Sequence, residues 1–599
     1  MQRPLLWSGV VAIVAVYGLT AAAVSGHDDD RDRNRPASPI VRGNAFVNDP
    51  CLDPPPPFFE RTVQSETDIA VLNVVGHDDD HDDDDDEDHW DRRGDRDDDN
   101  DDHEEGSGRL MVAGYTDSYG LYDNHQGLSG FSYSTSGGQR WIDAGGLPTA
   151  GLNDRYLGHP SVAVHHRTRT FYYASLYQNP DGLITVSVNR GRFKFAPRQV
   201  PVESFANARC ERRPELFGVP DPPAYFRERI IWDPPAEAIP AIGDDFDRHW
   251  LYINQETGVL YLTYTRVGFF DGSTPVELVR SFDGGQTWTA PSVIVPNLID
   301  TFNQAPKAVV TPTGRVVVSW LAHTFPFFGA PEEHRVETAF SDSCNGPEEP
   351  CIFSTPIIVD RVNPQGTPPG DNRVTNGELI ISNNPYLAVD KGRDDGRITR
   401  RERRQPGFGN VYITYFDGKT PFEQPLCDPS DFTCFPFASA ADILLARSTD
   451  DGTTYKNPVK VNDDPGNTSH VFPSAQVNKF GEVFVTWIDR RKDQARNVLN
   501  DTWGDISTRG GRFGTDGRIS TVSSDWFVRA DFVPNFGNYN SSDVIGFTHF
   551  ISIWADGRFP KPGPLVPVDF FPFFDRDPAE AATPDTFTGI VKRSHSRDR

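Results

Sequence analysis

Apolar and polar residues alternate along most of this chain in short runs that come in pairs. A first run such as HPSVAV (159–164) is followed by a turn and then by a second run, TFYYASLY (170–177), which ends in an aromatic residue. Alternation with a period of two predicts β-strands that bury one face, and two such runs joined by a turn predict a hairpin.

The same hairpin recurs seven times along the chain. The pairs of runs are TDIAV with RLMVAGYTD, HPSVAV with TFYYASLY, RHWLYI with VLYLTYTR, APKAVV with RVVVSWLAH, NPYLAV with NVYITYFD, FPSAQV with EVFVTWIDR, and FGNYNSSD with FTHFISIWADGR. Repeats of this kind predict an all-β fold, a β-propeller of four-stranded antiparallel blades. We predict seven blades, with six as the alternative because end units are atypical. The last blade is predicted to contain DTFTGIV and to take its outer strand from the N-terminal segment.

A second repeat closes several of these units with a tight turn. Its pattern is Ser-x-Asp-x-Gly-x-x-Trp, the Asp box. In such a turn the Asp accepts backbone N–H groups, the Gly adopts a positive φ and the aromatic ring packs beneath. We therefore predict a structural role for Asp283 and Asp450. The copies are SFDGGQTW (281–288), which is complete, STSGGQRW (134–141) and STDDGTTY (448–455), each with one exchange, and SVNRGRF (187–193), which is decayed.

The two ends of the chain differ in composition from the repeats. Arg3, the long apolar run after it and the small residues that follow predict an export signal, with an uncleaved membrane anchor as the alternative. No membrane span is expected once the signal is removed. The predicted organisation is a signal peptide (1–25), a partly disordered N-terminal segment (26–60), the propeller (61–592) and a basic C-terminal tail (593–599).

One internal segment, residues 76–107, carries much of the negative charge. Between Gly76 and Glu105 there are 19 acidic residues and three arginines, in a chain of 599 residues with a formal net charge of −28. Like charges at this density cannot pack, so the segment is predicted to be a disordered insertion in the first hairpin. The negative charge argues against nucleic acid as a partner.

Six cysteines in an exported chain predict disulfides rather than a metal cage. Two pairs are close enough in sequence to clip single loops, and elimination leaves the remaining two cysteines for each other. The predicted pairs are Cys344–Cys351, Cys427–Cys434 and Cys51–Cys210.

Propeller geometry sorts the loops onto two faces. The first strands start and the second strands end on one face, whereas the Asp-box turns lie on the other. Long loops and polar residues gather on the first face, which is therefore the predicted binding face. The motif Trp-x-Asp-x-Arg occurs there twice, in WIDRR and WADGR. It places carboxylates beside guanidinium groups, and both suit a sugar acid or a polyol as ligand. The alternative is that the Asp–Arg ion pair only holds its own loop to the neighbouring blade. The candidate ligand-binding residues are Arg248, Arg266, Arg490, Arg558, Asp247, His159 and His470.

The Asp boxes, the repeat plan and the export signal resemble the sialidase superfamily, whose folds have six blades. The closing stretch SSDWFVRADFVPNFGNYN…WADGRFP resembles its exported bacterial members. The resemblance implies a glycoside hydrolase that binds its substrate through arginines and uses a Tyr–Glu pair with an Asp as acid/base. The family's early Arg-Ile-Pro motif is absent, and SETDIAV, with Glu66, stands in its place. The candidate catalytic residues are Asp489, Asp556, Glu66 and Tyr539, with Tyr264 as an alternative phenol.

Two functions are compatible with these residues. The first is a secreted, carbohydrate-directed hydrolase with a polar site at the ring centre, which requires no cofactor. The second is a non-catalytic extracellular propeller that binds glycans or proteins. Ca²⁺ is a lesser possibility, because DKGRDDGRITRRE (390–402) is similar to a Ca²⁺ loop but has one residue too many and Arg393 near a ligand position.

Overall fold

The computed structural model describes residues 39–48, 64–73, 108–117, 127–151, 153–201, 225–268, 272–296, 301–324, 333–347, 351–363, 383–393, 398–400, 402–421, 439–466, 468–494, 499–508, 511–525, 537, 539–558 and 585–593. Several predictions lie outside these residues: the signal peptide (1–25), the acidic insertion (76–107), the tail beyond residue 593, and the pairing of Cys51, Cys210, Cys427 and Cys434. Among the residues described, no helix is both long enough and apolar enough to cross a bilayer.

Seven antiparallel sheets follow one another along the chain, which confirms the all-β propeller with seven blades rather than six. Blades 2 and 6 add short extra strands to the four-stranded plan. Blade 1 contains β2 (Gln64–Leu72), β3 (Leu110–Asp117), β4 (Ser129–Ser134) and β5 (Ile142–Gly146). Blade 2 contains β6 (Arg155–Tyr156), β7 (Ser161–His165), β8 (Thr170–Gln178), β9 (Ile184–Pro201), β10 (Tyr225–Trp232) and β11 (Ala236–Glu237). Blade 3 contains β12 (Asp245–Ile253), β13 (Leu260–Val267), β14 (Val276–Ser281) and β15 (Ser292–Val295).

The remaining blades repeat this order. Blade 4 contains β16 (Thr301–Val310), β17 (Val316–Thr324), β18 (Glu333–Ser341) and β19 (Ile357–Val362). Blade 5 contains β20 (Tyr386–Val389), β21 (Val411–Pro421), β22 (Ser439–Ser448) and β23 (Lys456–Lys460). Blade 6 contains β24 (His470–Val477), β25 (Val483–Asp489), β26 (Leu499–Ile506), β27 (Gly517–Arg518) and β28 (Ser524–Asp525). Blade 7 contains β29 (Ser541–Ile545), β30 (His549–Asp556), β31 (Asp585–Arg593) and β1 (Pro39–Phe46). Two 3₁₀ helices, Glu402–Arg404 and Arg491–Asp493, lie in loops.

The first hairpin strand of each blade lines the ring centre. Strands β2, β7, β12, β16, β20, β24 and β29 each contact the next in this order, and β29 contacts β2 again. Apolar side chains of neighbouring blades pack between the sheets: Ala174 and Val188 of blade 2, for example, share a buried cluster with Leu251 and Leu262 of blade 3. The core is therefore a series of layers between blades around the ring.

The ring closes through the N-terminal strand. β1 pairs antiparallel with β31, from Pro39 opposite Arg593 to Phe46 opposite Phe587. The rings of Phe46 and Phe587 pack edge to face, with centroids 4.6 Å apart. Asn44 Nδ2 also donates a hydrogen bond to the Ile519 carbonyl of blade 6, at 2.9 Å. The outer strand of the last blade thus comes from the opposite end of the chain, as the sequence predicts.

The turn between β14 and β15 has the contacts expected of an Asp box. Asp283 Oδ1 accepts hydrogen bonds from the backbone N–H groups of Gln286 (2.9 Å) and Thr287 (3.0 Å), and Gly285 has a φ of 82°. Ser281 Oγ accepts from the Gly285 N–H at 2.8 Å. The carboxylate is used within the turn, which supports a structural role for Asp283.

The decayed copy SVNRGRF (187–193) is not a turn, so that interpretation was wrong. These residues lie inside the continuous strand β9. Gly191 packs against Trp232, and a Cβ at this position would lie 2.5 Å from the indole ring. The glycine is thus explained by an aromatic neighbour and not by a positive φ.

The predicted disulfide between Cys344 and Cys351 is confirmed. It spans the connection between β18 and β19, which is the position that Asp-box turns occupy in blades 1, 3 and 5. The covalent link adds to hydrogen bonds of the turn, because the Ser343 N–H donates to Ser341 Oγ at 3.2 Å and Ser343 Oγ accepts from the Ile352 N–H at 2.9 Å.

A hydrogen bond from an aromatic side chain to a carboxylate recurs near the end of the second hairpin strand in six blades. In blade 4 the corresponding residue is Trp320, whose indole N–H is buried without a partner among the described residues. Buried hydrogen bonds to a charged group contribute more than neutral ones, so these contacts hold each second strand to its surroundings. The pairs are Tyr115–Asp143 (3.1 Å), Tyr177–Asp154, Tyr264–Glu277 (2.8 Å), Tyr415–Asp360 (2.8 Å), Trp487–Asp489 (2.8 Å) and Trp554–Asp556 (2.8 Å).

Removing one of these hydroxyl groups is expected to destabilise the propeller. We predict that Tyr264→Phe lowers the free energy of unfolding by about 1–2 kcal/mol, because Glu277 loses a buried donor. Tyr261→Phe is the matched control, since Tyr261 is buried in the same strand but makes no such contact with a carboxylate of the residues that the structure describes. Calorimetric midpoints should fall clearly for the first variant and hardly for the second; equal shifts would contradict the role of the hydrogen bond.

Candidate functional site

Five first hairpin strands share an irregularity near their start, where one non-glycine residue has a positive φ. Four of these residues interrupt the pairing register of β2, β12, β16 and β24, and the fifth precedes β7. Such a backbone costs about 1 kcal/mol or more, so the surrounding contacts must hold it. Because it recurs at one level of the ring, the irregularity gathers these residues around the axis on one face. They are Glu66 (52°), His159 (56°), Arg248 (48°), Ala305 (56°) and Phe472 (53°).

The polar members of this set lie on the adjacent blades 1, 2 and 3. His159 Nδ1 is 3.7 Å from Glu66 Oε2 and 3.9 Å from Oδ1 of Asp247, the residue before Arg248. The side chain of Glu66 is 7% exposed, whereas those of His159 and Asp247 are 23% and 30% exposed. We call Glu66, His159, Asp247 and Arg248 the polar cluster. It is largely enclosed, yet solvent reaches it.

Arg248 completes the polar cluster and sets the charge of its neighbour. Its Nε is 3.3 Å from Asp247 Oδ2, and its Nη1 donates to Asn384 Oδ1 at 2.8 Å. Burial raises the pKa of Asp247, but the charges of Arg248 and His159 outweigh this effect, so the pKa lies below its ordinary value. Asp247 is therefore ionised at neutral pH.

Next to the polar cluster, the buried amino group of Lys307 lies among aromatic rings at the ring centre. Lys307 Nζ is 2.9 Å from the centroid of Trp250, 4.7 Å from that of Tyr386 and 5.6 Å from that of Tyr539. Burial lowers the pKa of Lys307 and raises that of Asp68 to about 6.

Apart from Tyr539, sequence reasoning did not single out the residues of this central group. Asp68, Trp250 and Lys307 each stand two positions after a residue with positive φ, and Tyr386 stands two positions after Asn384. The shared spacing from the strand start is the signal that could have found them.

Tyr539, a predicted catalytic phenol, anchors the chain beside His159. Its hydroxyl donates to the Pro160 carbonyl at 2.7 Å. Burial, followed by the charges of Glu66 and Asp68, raises the pKa of Tyr539 well above its ordinary value. The phenol is therefore neutral with its proton engaged, an arrangement that favours a positioning role over a nucleophilic one.

A cavity of about 120 Å³ extends along the first hairpin strands away from the polar cluster. Asp68, Trp250 and Tyr386 line one part of it, and Val389 and Val477, at the far ends of β20 and β24, line another. The polar cluster is not part of its lining, so the cavity is a separate space on the side of the Asp-box turns.

The first Trp-x-Asp-x-Arg motif forms a closed set of contacts. Asp489 Oδ2 accepts from Trp487 Nε1 and from Arg491 Nε, both at 2.8 Å, and Oδ1 accepts from the Arg491 N–H at 2.7 Å. The motif arginine is Arg491. Arg490, which was predicted to bind ligand, is buried and donates to Asn500 Oδ1 at 2.9 Å.

The second motif repeats these contacts in blade 7. Asp556 accepts from Trp554 Nε1 (2.8 Å), from the Arg558 N–H (2.9 Å) and from Arg558 Nη2 (2.5 Å). The Arg558 guanidinium stacks 4.0 Å above the ring of Phe587. Both aspartates are thus saturated by their own motif and lie outside the polar cluster, so the geometry favours a structural role for them.

His470 belongs to a buried charge network in blade 6. Its Nε2 is 3.0 Å from Asp464 Oδ1 and 3.2 Å from Asp489 Oδ2, and its Nδ1 faces the Ala441 carbonyl at 2.6 Å. Burial lowers the pKa of His470, but the two carboxylates outweigh it and raise the pKa to about 10. His470 is therefore a charged, buried group that links the start of β24 to the end of β25.

Arg266 is likewise engaged within blade 3. Its Nη1 donates to Asp244 at 2.8 Å and its Nε to Glu277 at 3.1 Å. Glu277 also accepts from the buried Tyr264, the alternative phenol. Of the predicted site residues, the structure therefore brings together Glu66, His159, Asp247 and Arg248 in one cluster, with Tyr539 beside it.

The loop predicted as a possible Ca²⁺ site is described only in part. Glu402 accepts from the Thr399 N–H at 2.7 Å and is 3.3 Å from Arg393 Nε, so a guanidinium group already uses this carboxylate. Within the described residues no group of three or more His, Cys, Asp or Glu side chains is placed to hold a metal. Ca²⁺ binding by this loop stays a prediction.

Comparison with known proteins gives only distant structural similarity. No family model and no curated protein matches the chain. A protein of unknown function from Dyadobacter fermentans DSM 18053 is 11% identical with a TM-score of 0.37, covering 93% of this chain and 99% of that one. Hadza microbial sialidase Hz136 is 11% identical with a TM-score of 0.35, covering 78% and 73%. An α-L-arabinofuranosidase from Fusarium graminearum is 10% identical with a TM-score of 0.35, covering 92% and 98%. Similarity at this level does not establish function.

Gly537 fixes the position of Glu66, and a methyl group there should disturb it. Gly537 has a φ of 86°, and a Cβ would overlap the Glu66 backbone nitrogen and lie 2.7 Å from its Cγ. Gly243 has a φ of 88° with nothing within 4 Å of such a Cβ. We predict that Gly537→Ala lowers the thermal midpoint well beyond Gly243→Ala, which carries only the backbone strain of about 1 kcal/mol. Equal losses would show that Glu66 is not held by this contact.

The charge network around His470 makes a contribution to stability that depends on pH. The folded pKa of about 10 exceeds the ordinary value of 6.5, so the contribution is complete below about pH 6.5 and is lost as pH rises through 10. The difference in thermal midpoint between wild type and His470→Gln should therefore be largest near pH 6 and shrink towards pH 10.

His165→Gln is the control for this measurement. Burial lowers the pKa of His165, so its contribution is lost only as pH falls, and the difference from wild type should stay constant above pH 7. A difference for His470→Gln that is constant from pH 6 to pH 10 would contradict a charged His470.

Proposed function

We propose that this protein is an exported, carbohydrate-directed propeller whose polar cluster binds and hydrolyses a glycoside. The observation that carries the proposal is the approach of two carboxylates, Glu66 and Asp247, to within 4 Å of one His159 nitrogen at the strand starts of three adjacent blades. Glycoside hydrolysis needs a pair of carboxyl groups flanking the scissile bond.

The ionised state of Asp247 suits this chemistry. Asp247 remains ionised beside Arg248, so it can stabilise positive charge at the anomeric carbon or take a proton from the attacking water. Glu66, with a nearly buried carboxyl group, is the proposed acid, which protonates the leaving oxygen as the C–O bond breaks. Water supplies the oxygen that joins the anomeric carbon. One of its protons stays on the new hydroxyl group, and the other passes by way of Asp247 or solvent to Glu66, which restores both groups.

The Asp-box turns and the blade plan support placing the chain near the sialidase superfamily, as the resemblance implies. The Cys344–Cys351 disulfide supports an oxidising compartment and hence export. The site differs from the family pattern, because Arg266, Arg490 and Arg558 are engaged elsewhere and leave Arg248 as the guanidinium group of the polar cluster.

A non-catalytic glycan-binding propeller is the second candidate. One observation favours it: the Tyr539 hydroxyl is committed to the Pro160 carbonyl, so the phenol that the family would use as a nucleophile is not poised for attack. In this second candidate the polar cluster would bind the glycan without hydrolysing it.

The two candidates are separated by turnover and binding measured together. A panel of aryl glycosides, neutral and sialylated, should include a substrate whose kcat/KM falls at least about 100-fold in Glu66→Gln and in Asp247→Asn, because each loses a proton-transfer or charge-stabilising group. Asp233→Asn, in an exposed ion pair with Arg190, is the control and should keep full activity. Glycan-array binding without turnover that disappears in both variants would support the second candidate. If the protein shows no binding and no turnover with any glycoside of the panel, both candidates are contradicted.

A further inference from the structure

One nitrogen in the polar cluster is buried without a hydrogen-bond partner. His159 Nδ1 is screened from solvent and makes no hydrogen bond within the described part of the chain. Its nearest acceptors, Glu66 Oε2 and Asp247 Oδ1, are 3.7 and 3.9 Å away, beyond the usual limit of about 3.2 Å. Buried polar atoms are generally paired, so an unpaired nitrogen facing two carboxylates indicates a position for a missing partner.

The missing partner must fit between His159 Nδ1 and the carboxyl oxygens of Glu66 and Asp247. Since the two carboxyl oxygens lie 3.7 and 3.9 Å from His159 Nδ1, one oxygen can lie within hydrogen-bond distance of the nitrogen and of either carboxyl oxygen. An alcohol hydroxyl fits, since it accepts from an Nδ1–H group and donates to a carboxylate. A carboxylate ligand would face the like charge of Asp247, and an ammonium ligand would face the Arg248 guanidinium.

A second contact fixes the spacing of this position. Thr116, on β3 and next to the end of the strand, donates from Oγ1 to Glu66 Oε2 at 2.9 Å. The same Oγ1 accepts from the His159 N–H at 3.2 Å. Gly158 has no side chain that would separate the strands, and a Cβ there would lie 3.0 Å from Thr116 Oγ1. One hydroxyl group thus ties the Glu66 carboxylate of blade 1 to the His159 backbone of blade 2.

We propose that His159, Glu66 and Asp247 form a subsite for a single sugar hydroxyl, and that Thr116 is the positioning residue that sets its width. This inference rests on the proposed function and narrows it to neutral glycosides at this subsite, in preference to a sugar acid. The hydroxyl group accepts from Nδ1–H and donates its proton to one of the two carboxyl groups, which are too far from Nδ1 for a direct hydrogen bond.

The test observes the histidine directly. Protein labelled with ¹⁵N-histidine, with His159 assigned by comparison with His159→Gln, is titrated with methyl glucoside, methyl galactoside and the other neutral methyl glycosides of the binding panel. N-acetylneuraminic acid and methylammonium chloride are titrated at the same concentrations. At least one neutral glycoside should shift the His159 Nδ1 resonance, and its monodeoxy analogue lacking the bridging hydroxyl should bind at least about tenfold more weakly. The acid and the ammonium salt should leave the resonance unchanged.

Variants of Thr116 separate positioning from general stability. Thr116→Val removes the hydroxyl group at nearly constant shape and should weaken glycoside binding at least about tenfold, whereas Thr116→Ser should restore it. Thr414→Val, which removes a buried hydroxyl group bonded to the Leu444 carbonyl in blade 5, is the matched control and should bind as wild type. Thr116→Val with unchanged affinity, or Thr116→Ser as weak as Thr116→Val, would overturn the positioning role.

The outcomes also separate this inference from the proposed function. If neutral glycosides bind and turn over but His159 Nδ1 does not respond, the hydroxyl subsite is wrong and the proposed function stands. If only methylammonium or only the sugar acid shifts the His159 resonance, the hydroxyl subsite is wrong and the polar cluster is a site for a charged group. If no glycoside binds or reacts, the proposed function fails as well.

Discussion

Pairing between β1 and β31 closes the ring, and the remainder of the structure depends on this closure. Each first hairpin strand has neighbours on both sides only because blade 7 returns to blade 1, where β29 contacts β2. Without β1, the outer edge of blade 7 would present unpaired backbone groups, and its packing on blade 6 through Asn44 would be lost. The polar cluster spans three first strands, so its geometry requires a ring of fixed circumference.

Within the closed ring, a repeated backbone irregularity produces different chemistry in different blades. The positive φ at one level of the first strands is shared by polar residues in blades 1 to 3 and by Ala305 and Phe472 in blades 4 and 6. A common scaffold thus presents carboxylates, an imidazole and a guanidinium group in one sector, whereas Ala305 and Phe472 are buried. The polar groups at this level of the ring are therefore concentrated in blades 1 to 3.

The same reasoning explains why several conspicuous residues lie outside the site. Asp489 and Asp556 accept hydrogen bonds from the tryptophan two residues earlier and from the arginine two residues later. They are the blade 6 and blade 7 forms of the aromatic–carboxylate contact that ends most second strands. Burying such a charge is favourable only when its hydrogen bonds are satisfied, and satisfied carboxylates have few acceptor positions left for a substrate.

The sequence by itself predicted the seven hairpins, the N-terminal outer strand and the Cys344–Cys351 link, and favoured seven blades over six, because alternation, turn chemistry and cysteine spacing act over short distances. It also placed Glu66, His159, Asp247 and Arg248 on one face. Only the tertiary structure decided that these four meet while Arg266, Arg490, Arg558, His470 and the two motif aspartates are held elsewhere. That choice depends on partners far apart in the chain, such as His470 with Asp489 or Thr116 with His159, whose distances no local pattern records. The distances between the site residues are set by ring closure and by packing between blades, and are therefore a property of the assembled propeller.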